Sequence, residues 1–142
     1  MNPKTIRIAT VAITTFIPWL ITLAAVGATM TLARPLFILI HYLLIVLLFG
    51  VAFSFYYKDH KEVDPFAVTI TAILCLFVYE IVYVGFFHEA PHWFLTYLDW
   101  LVPVFLIAST IYWTGTFFTK TQSRHTDSAL VGFRRSIQGA HP

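Results

Sequence analysis

Charged residues are scarce in this sequence. They make up 11 % of its 142 residues, whereas a soluble domain carries about 25 %. Hydrophobic residues account for 58 %, and the mean hydropathy is +0.77. This composition excludes an ordinary soluble domain and is typical of a membrane protein. Because the net charge is only +2, nothing in it supports a nucleic-acid partner.

Cysteine is nearly absent, since Cys75 is the only one and lies within an apolar segment. A single cysteine excludes an intrachain disulfide, and it also excludes the C-x-x-C pairs of thiol redox and structural zinc sites. We interpret Cys75 as a small core residue. The sequence also lacks a phosphate-binding loop, a nucleotide fingerprint and a Ser/His/Asp array. We therefore predict no catalytic residues and no cofactor.

The sequence does contain four long apolar segments. A helix needs roughly 20 apolar residues to cross a bilayer, and the four segments are residues 8–32, 35–57, 65–87 and 93–118. A cleaved signal peptide is disfavoured for the first, because its apolar part exceeds the usual length of about 7–15 residues. We predict an all-α membrane protein, in which residues 1–119 form a four-helix transmembrane bundle. Since the loops are short, we expect consecutive helices to be antiparallel neighbours.

Two further features concern the ends of this arrangement. The first segment has small surfaces suited to close helix packing, formed by Thr10, Thr14, Thr15, Ala24, Gly27 and Ala28. A polar tail, residues 120–142, follows the last segment. Its apolar residues would share one face of a short helix beside Arg134 and Arg135, as in a segment that lies on an anionic membrane surface. A disordered tail is the other interpretation.

Lys and Arg are distributed unevenly between the two sides of the predicted bundle. Four spans place both termini and the loop of residues 58–64 on one side and leave only Arg34 on the other. The first side then holds eight of the nine basic residues, namely Lys4, Arg7, Lys58, Lys61, Lys120, Arg124, Arg134 and Arg135. Because such residues are retained in the cytoplasm, we predict an N-in/C-in, multi-pass protein of the cell membrane with a cytoplasmic tail.

Two acids interrupt the apolar segments, Glu80 in the third and Asp99 in the fourth. Ionisable groups at such depth are costly and are usually functional or paired. A symmetric hairpin would place both at one depth in the outer half of the membrane, the half that also holds Arg34 and His41. We predict a polar intramembrane cluster of Arg34, His41, Glu80 and Asp99. Either the acids form a proton- or cation-binding pair, or each is bonded to a neighbour, for which the candidates are Arg34, His41, Tyr79 and Tyr83.

Residues 88–92 match the H-E-x-x-H pattern of zinc hydrolases, which requires a helix. Pro91 stands between the two histidines and opposes helical geometry, so we disfavour a protease site. His88 and His92 are weak candidates for a metal or pH-responsive site, and the alternative is a pair of interfacial histidines beside a turn. His41 has no second histidine at its depth for haem ligation, so we favour a hydrogen bond to one of the acids.

These features leave three classes of function. We favour a small accessory or assembly subunit of a larger membrane complex. The second class is an oligomeric small transporter or channel protomer with an outward-facing Glu/Asp site. An intramembrane enzyme is the least favoured class. The expected partners are the lipid bilayer and either further copies of this chain or other membrane subunits.

Overall fold

The computed structural model describes residues 3–29, 31–87 and 101–119. Three helices are α1 (Pro3–Thr29), α2 (Arg34–Asp59) and α3 (Pro65–Phe87), and the described part of α4 is Leu101–Thr119. All four are long and apolar enough to cross a membrane. The predicted helical fold with four apolar helices is therefore confirmed for the described residues, and the N-in/C-in orientation stays a prediction.

The sequence explains where α2 and α3 begin and end. Pro35 lies in the first turn of α2, where its missing N–H costs no hydrogen bond. After α2, the backbone N–H and the ring Nδ1 of His60 both reach the carbonyl oxygen of Tyr56, at 3.1 and 3.0 Å. The carboxylate of Asp64 accepts from the backbone N–H groups two and three residues later, at 3.1 and 3.3 Å. The charged loop thus caps both helices.

The buried hydroxyls of α1 are satisfied within their own helix. The helix runs through Pro18 without a break. Thr15 donates to the carbonyl oxygen of Val11 at 2.7 Å, and Thr22 donates to that of Pro18 at 2.8 Å. Back-bonding of this kind lets a threonine face apolar neighbours without an unpaired donor. At these two positions, the buried face of α1 therefore has no unpaired hydroxyl donor.

The helices do not all pack in chain order. α1 packs against both α2 and α3, whereas no Cα of α2 lies within 8 Å of a Cα of α3. The expectation that consecutive helices are neighbours is therefore wrong for α2 and α3, which lie apart in the bundle with α1 packed against each of them. The loop of residues 60–64 permits this because five extended residues reach about 17 Å. Helices packed about 8–10 Å apart have a shorter diagonal than that.

The main core lies between the middle of the bundle and the end that holds residues 59–65, which we call the α2–α3 end. Its cluster contains side chains of all four helices and of the loop: Val11, Ile45, Phe49, Phe53, Tyr56, Tyr57, Val63, Val68, Ala72, Leu76, Ile107 and Ile111. The opposite end, near residues 29–34, we call the α1–α2 end. α3 contributes no buried side chain beyond Leu76 in its described part.

Gly115 fits α4 against the α2–α3 end. A Cβ atom at this position would stand 2.5 Å from Cζ of Tyr57 and 2.8 Å from Cβ of Pro65. Such distances are not tolerated, so only glycine lets α4 approach this closely. The small residues singled out on α1 behave differently. Thr15 is fully buried, but Gly27 and Ala28 are exposed, so within the described chain these two residues are not covered by another helix, and their role in close packing stays a prediction.

Every helix turns large apolar side chains outward. On α2 they recur at Leu39, Leu43, Leu47 and Phe55, each more than half exposed. Similar exposed faces occur on α1, on α3 and on the described part of α4. In water such surfaces would drive association, whereas in a bilayer they face lipid. The fold therefore suits a membrane as its solvent.

Candidate functional site

Glu80 is the predicted intramembrane acid that the described residues contain, and α1 supplies its partner. The indole Nε1–H of Trp19 donates a hydrogen bond to Oε1 of Glu80 at 2.9 Å, and both side chains are half-buried. An acid within an apolar span is stabilised by such a donor. The structure thus gives Glu80 a partner that was not among the expected neighbours, and the choice between an acid pair and separately bonded acids stays a prediction.

Aromatic rings surround this hydrogen bond. Trp19 packs against Phe16, Tyr79 and Tyr83, with ring centroids 5.7, 5.5 and 6.2 Å away. Phe16 and Tyr79 meet edge to face at 5.3 Å. Such pairs each contribute about 0.5–1.5 kcal/mol beyond their burial. We call these four rings together with Glu80 the α1/α3 seam.

A second hydrogen bond joins α1 and α3, and it involves the residue next to Glu80 on α3. The hydroxyl of Tyr79 donates to the carbonyl oxygen of Ala12 at 2.9 Å. Interhelical hydrogen bonds in membrane proteins contribute about 0.6 kcal/mol on average and up to about 1.7. The two bonds and the ring contacts together fix both the register and the rotation of α3 against α1.

Trp19 is the residue that sequence reasoning missed. The expected partners of Glu80 were on the second or fourth segment or beside it, and the sequence predicted neighbours only for consecutive helices. Yet Trp19 lies sixteen residues after Pro3, and Glu80 lies fifteen after Pro65. Since α1 and α3 run in the same direction, these residues reach one depth at about 1.5 Å per residue. A tryptophan in mid-span, away from the interface, was the available signal.

The other members of the predicted cluster stay a prediction as a group. Arg34 is the first residue of α2 and is exposed. His41 is half-buried and stacks on Phe37, with centroids 5.9 Å apart and planes 5° from parallel. Asp99, the acid expected to pair with Glu80, lies outside the described residues.

The metal candidates cannot be placed in the same way. His88 and His92 lie outside the described residues, as does the tail of residues 120–142. Within residues 3–29, 31–87 and 101–119, no group of three or more His, Cys, Asp or Glu is arranged to hold a metal ion. Cys75 is half-buried on α3.

A different polar feature lies at the α2–α3 end. Tyr56 and Tyr57 are 4 % and 0 % exposed, and within the described chain neither hydroxyl has a hydrogen-bond partner. Their rings meet edge to face at 5.4 Å, and His60 stacks on Tyr56 at 4.6 Å. An unpaired buried hydroxyl costs about 1–3 kcal/mol. These two rings therefore contribute to the core by packing.

The seam combines an acid, an indole donor and aromatic faces at one depth of the membrane. This combination can hold two helices together, and it can also present a carboxylate beside π-electron faces to a cation. No protein-family model matches the chain, and neither a curated protein nor a solved structure matches it.

Proposed function

We propose that this chain is an accessory or assembly subunit of a larger membrane complex. The observation that carries the proposal is the filled interior of the described part of the bundle, from its middle to the α2–α3 end. Phe49, Phe53, Tyr57 and Ile111 are each at most 1 % exposed and belong to one apolar cluster. A channel or carrier requires a polar or water-lined route. The described core leaves no such route through the half toward the α2–α3 end, so the outer surface is the part of the protein that is available for contacts.

The outer surface of α3 supports the same role. Val78, Ile81 and Phe86 are 57, 69 and 82 % exposed, beyond the last buried residue of the helix, Leu76. Membrane helices associate through van der Waals packing of such side chains rather than through a hydrophobic force. We propose that this face, named here the α3 face, receives a helix of a different membrane subunit.

Photo-crosslinking in native membranes tests the proposal. A photoreactive amino acid at Ile81 on the α3 face is compared with one at Leu43 on α2, which is equally exposed at 66 %. We expect Ile81 to yield a defined adduct with a protein of different sequence, and Leu43 to yield lipid adducts only. Adducts at Ile81 that contain lipid alone, with no protein co-purified in mild detergent, would reject the accessory role.

A second candidate is a small transporter or channel protomer that works as an oligomer. The observation that favours it is the half-buried Glu80 in the seam, because carboxyls within spans often lie on ion or substrate pathways. Native mass spectrometry of the purified chain distinguishes the two candidates. A closed homo-oligomer favours the transporter, and a complex with another chain favours the accessory subunit.

We also propose the N-in/C-in orientation and the cell membrane as the location. The uneven distribution of Lys and Arg supports this, since Arg34 is the only basic residue on the predicted outer side. The third class, an intramembrane enzyme, gains no supporting observation from the described residues, and we do not propose it.

A further inference from the structure

The carboxyl of Glu80 is only partly satisfied by the seam. Within the described chain, Trp19 is its one hydrogen-bond donor, and the bond is to Oε1. An ionised carboxylate offers about four lone-pair sites. Water is scarce at this depth, so the remaining sites call for a further donor or a cation. The seam therefore contains a carboxylate with free acceptor sites, which a cation can occupy.

The rings beside Glu80 supply the second element of cation recognition. A cation within about 6 Å of an aromatic centroid is attracted to the ring face, and tryptophan is the strongest of the rings. Trp19 holds the carboxylate through its N–H edge, and the rings of Phe16 and Tyr83 have their centroids 5.7 and 6.2 Å from that of Trp19, so the charge belongs to an aromatic cluster. Paired in this way, a carboxylate and aromatic rings recognise organic ammonium and phosphonium groups.

The rim of the seam is formed by exposed apolar side chains, as suits a surface that faces lipid. Phe16 is 41 % exposed. Phe77 and Val84 stand three residues before and four after Glu80, so they share its face of α3, and they are 47 and 44 % exposed. This rim is apolar. A hydrated metal ion would exchange many oxygen ligands for one carboxylate here, whereas an ion shielded by hydrocarbon groups enters from the lipid.

We propose that the α1/α3 seam binds a lipophilic organic cation, with Glu80 as its counter-ion and with Phe16, Trp19 and Tyr83 as its aromatic surface. The inference goes beyond both candidate functions, because such binding requires neither transport nor a partner protein. It predicts a ligand class defined by three properties. The ligand is monovalent and positive, its charge is delocalised or shielded, and its surface is apolar enough to partition into the membrane.

The test compares two ions of nearly equal size and shape but opposite charge. Purified wild-type protein in lipid nanodiscs is titrated with tetraphenylphosphonium and, separately, with tetraphenylborate, by equilibrium dialysis against empty nanodiscs. We expect saturable binding of the phosphonium above its partitioning into empty nanodiscs, and no saturable binding of the borate. Equal saturable binding of both ions, above their partitioning into empty nanodiscs, would overturn the proposal whatever the variants show.

Variants then locate the site. Glu80→Gln, which keeps the acceptor for Trp19 and removes the charge, should weaken phosphonium binding by at least about tenfold. Trp19→Phe should weaken it by a smaller factor, about 2- to 30-fold, and Glu80→Asp should retain part of it. The matched control is Glu62→Gln, which removes an exposed acid of the α2–α3 loop and should leave binding unchanged.

Two outcomes would contradict the proposal at this stage. One is a folded, monodisperse Glu80→Gln protein that binds the phosphonium as tightly as wild type. The other is an equal loss in Glu62→Gln, which would assign the effect to net charge. If Glu80→Gln fails to fold, the phosphonium and borate titrations of the wild type decide alone. None of these results depends on whether a partner subunit exists, so this inference and the accessory role can fail separately.

Discussion

At the scale of single residues, the indole of Trp19 has two roles that ordinary core packing would not require. It packs against three aromatic rings, and it donates to an acid that has no other hydrogen-bond donor in the described chain. Loss of a donor to a buried polar group is costly because the acceptor stays desolvated. We therefore expect that removing a single hydrogen-bonding group from the α1/α3 seam lowers the stability of the protein.

Trp19→Phe should lower the free energy of unfolding by about 1–2 kcal/mol, since it leaves the Glu80 carboxyl without its donor while keeping a ring in place. Unfolding is measured by SDS titration in mixed micelles and followed by circular dichroism. The control is Trp113→Phe on α4, where the side chain is 57 % exposed and the change should stay within about 0.5 kcal/mol. Equal losses at the two positions would deny the hydrogen bond any special role.

Two tyrosines provide a second contrast at this scale. Tyr57→Phe removes a buried hydroxyl that has no partner in the described chain, so stability should be unchanged or should rise by up to about 1 kcal/mol. Tyr79→Phe removes the donor to the carbonyl of Ala12 and should cost about 0.5–1.5 kcal/mol. The same SDS titration measures both. A loss for Tyr57→Phe as large as that for Tyr79→Phe would show that the Tyr57 hydroxyl has a partner.

At the scale of whole helices, the fit of α4 depends on one glycine. Gly115 has no room for a methyl group beside Tyr57 and Pro65, whereas a Cβ at Gly27 or Gly85 would meet nothing within 4 Å. Both neighbours of Gly115 are stiff, because Tyr57 is a fully buried ring and Pro65 is the first residue of α3. The three glycines look alike in the sequence, and only their surroundings separate them.

Gly115→Ala should therefore destabilise the protein by about 1–3 kcal/mol through overpacking. Gly27→Ala and Gly85→Ala are matched controls, and they should leave stability unchanged or raise it by about 0.5–1 kcal/mol, because alanine is the better helix former. Thermal unfolding of the three detergent-solubilised variants gives the comparison. A Gly115→Ala protein as stable as the two controls would mean that α4 does not approach Tyr57 closely.

The neighbours of α2 can be tested by disulfide formation. A Cβ at position 50 would lie 3.6 Å from Cγ2 of Thr110 on α4, which is close enough for a bridge after a small adjustment. In a Cys75→Ala background, Gly50→Cys with Thr110→Cys should form an intrachain crosslink on mild oxidation. Gly50→Cys with Ala72→Cys, the control pair, should not, because every Cα of α3 is more than 8 Å from every Cα of α2. Crosslinking of the control pair would show that α2 and α3 are neighbours after all, as expected for helices that pack in chain order.

At the scale of the whole molecule, the orientation in the membrane depends on the distribution of basic residues and not on the packing. Glu62 and Thr31 are exposed and lie at the α2–α3 end and the α1–α2 end. Single cysteines at these positions, in a Cys75→Ala background, should react from opposite sides. An impermeant maleimide should label Thr31→Cys in intact cells and should label Glu62→Cys only after lysis. The reverse pattern would invert the topology, and labelling of both in intact cells would remove the four-span arrangement.

The sequence by itself determined that there are four apolar helices, because the length of a hydrophobic run is a property of a short stretch. The cap that Asp64 forms on α3 is equally local, but it was recognised only in the structure. The sequence also indicated that Glu80 would need a partner, because an acid within a span is costly wherever the span packs.

Only the tertiary structure decided which partner Glu80 has, which helices touch and which glycine is indispensable. Loop length sets an upper limit on the distance between α2 and α3, but it does not make them neighbours. Rotation about a helix axis decides whether Gly27 or Gly115 meets another helix, and it depends on how side chains of several helices fill one space. Trp19 and Glu80 are 61 residues apart in the chain, so nothing local to either residue could specify that they meet.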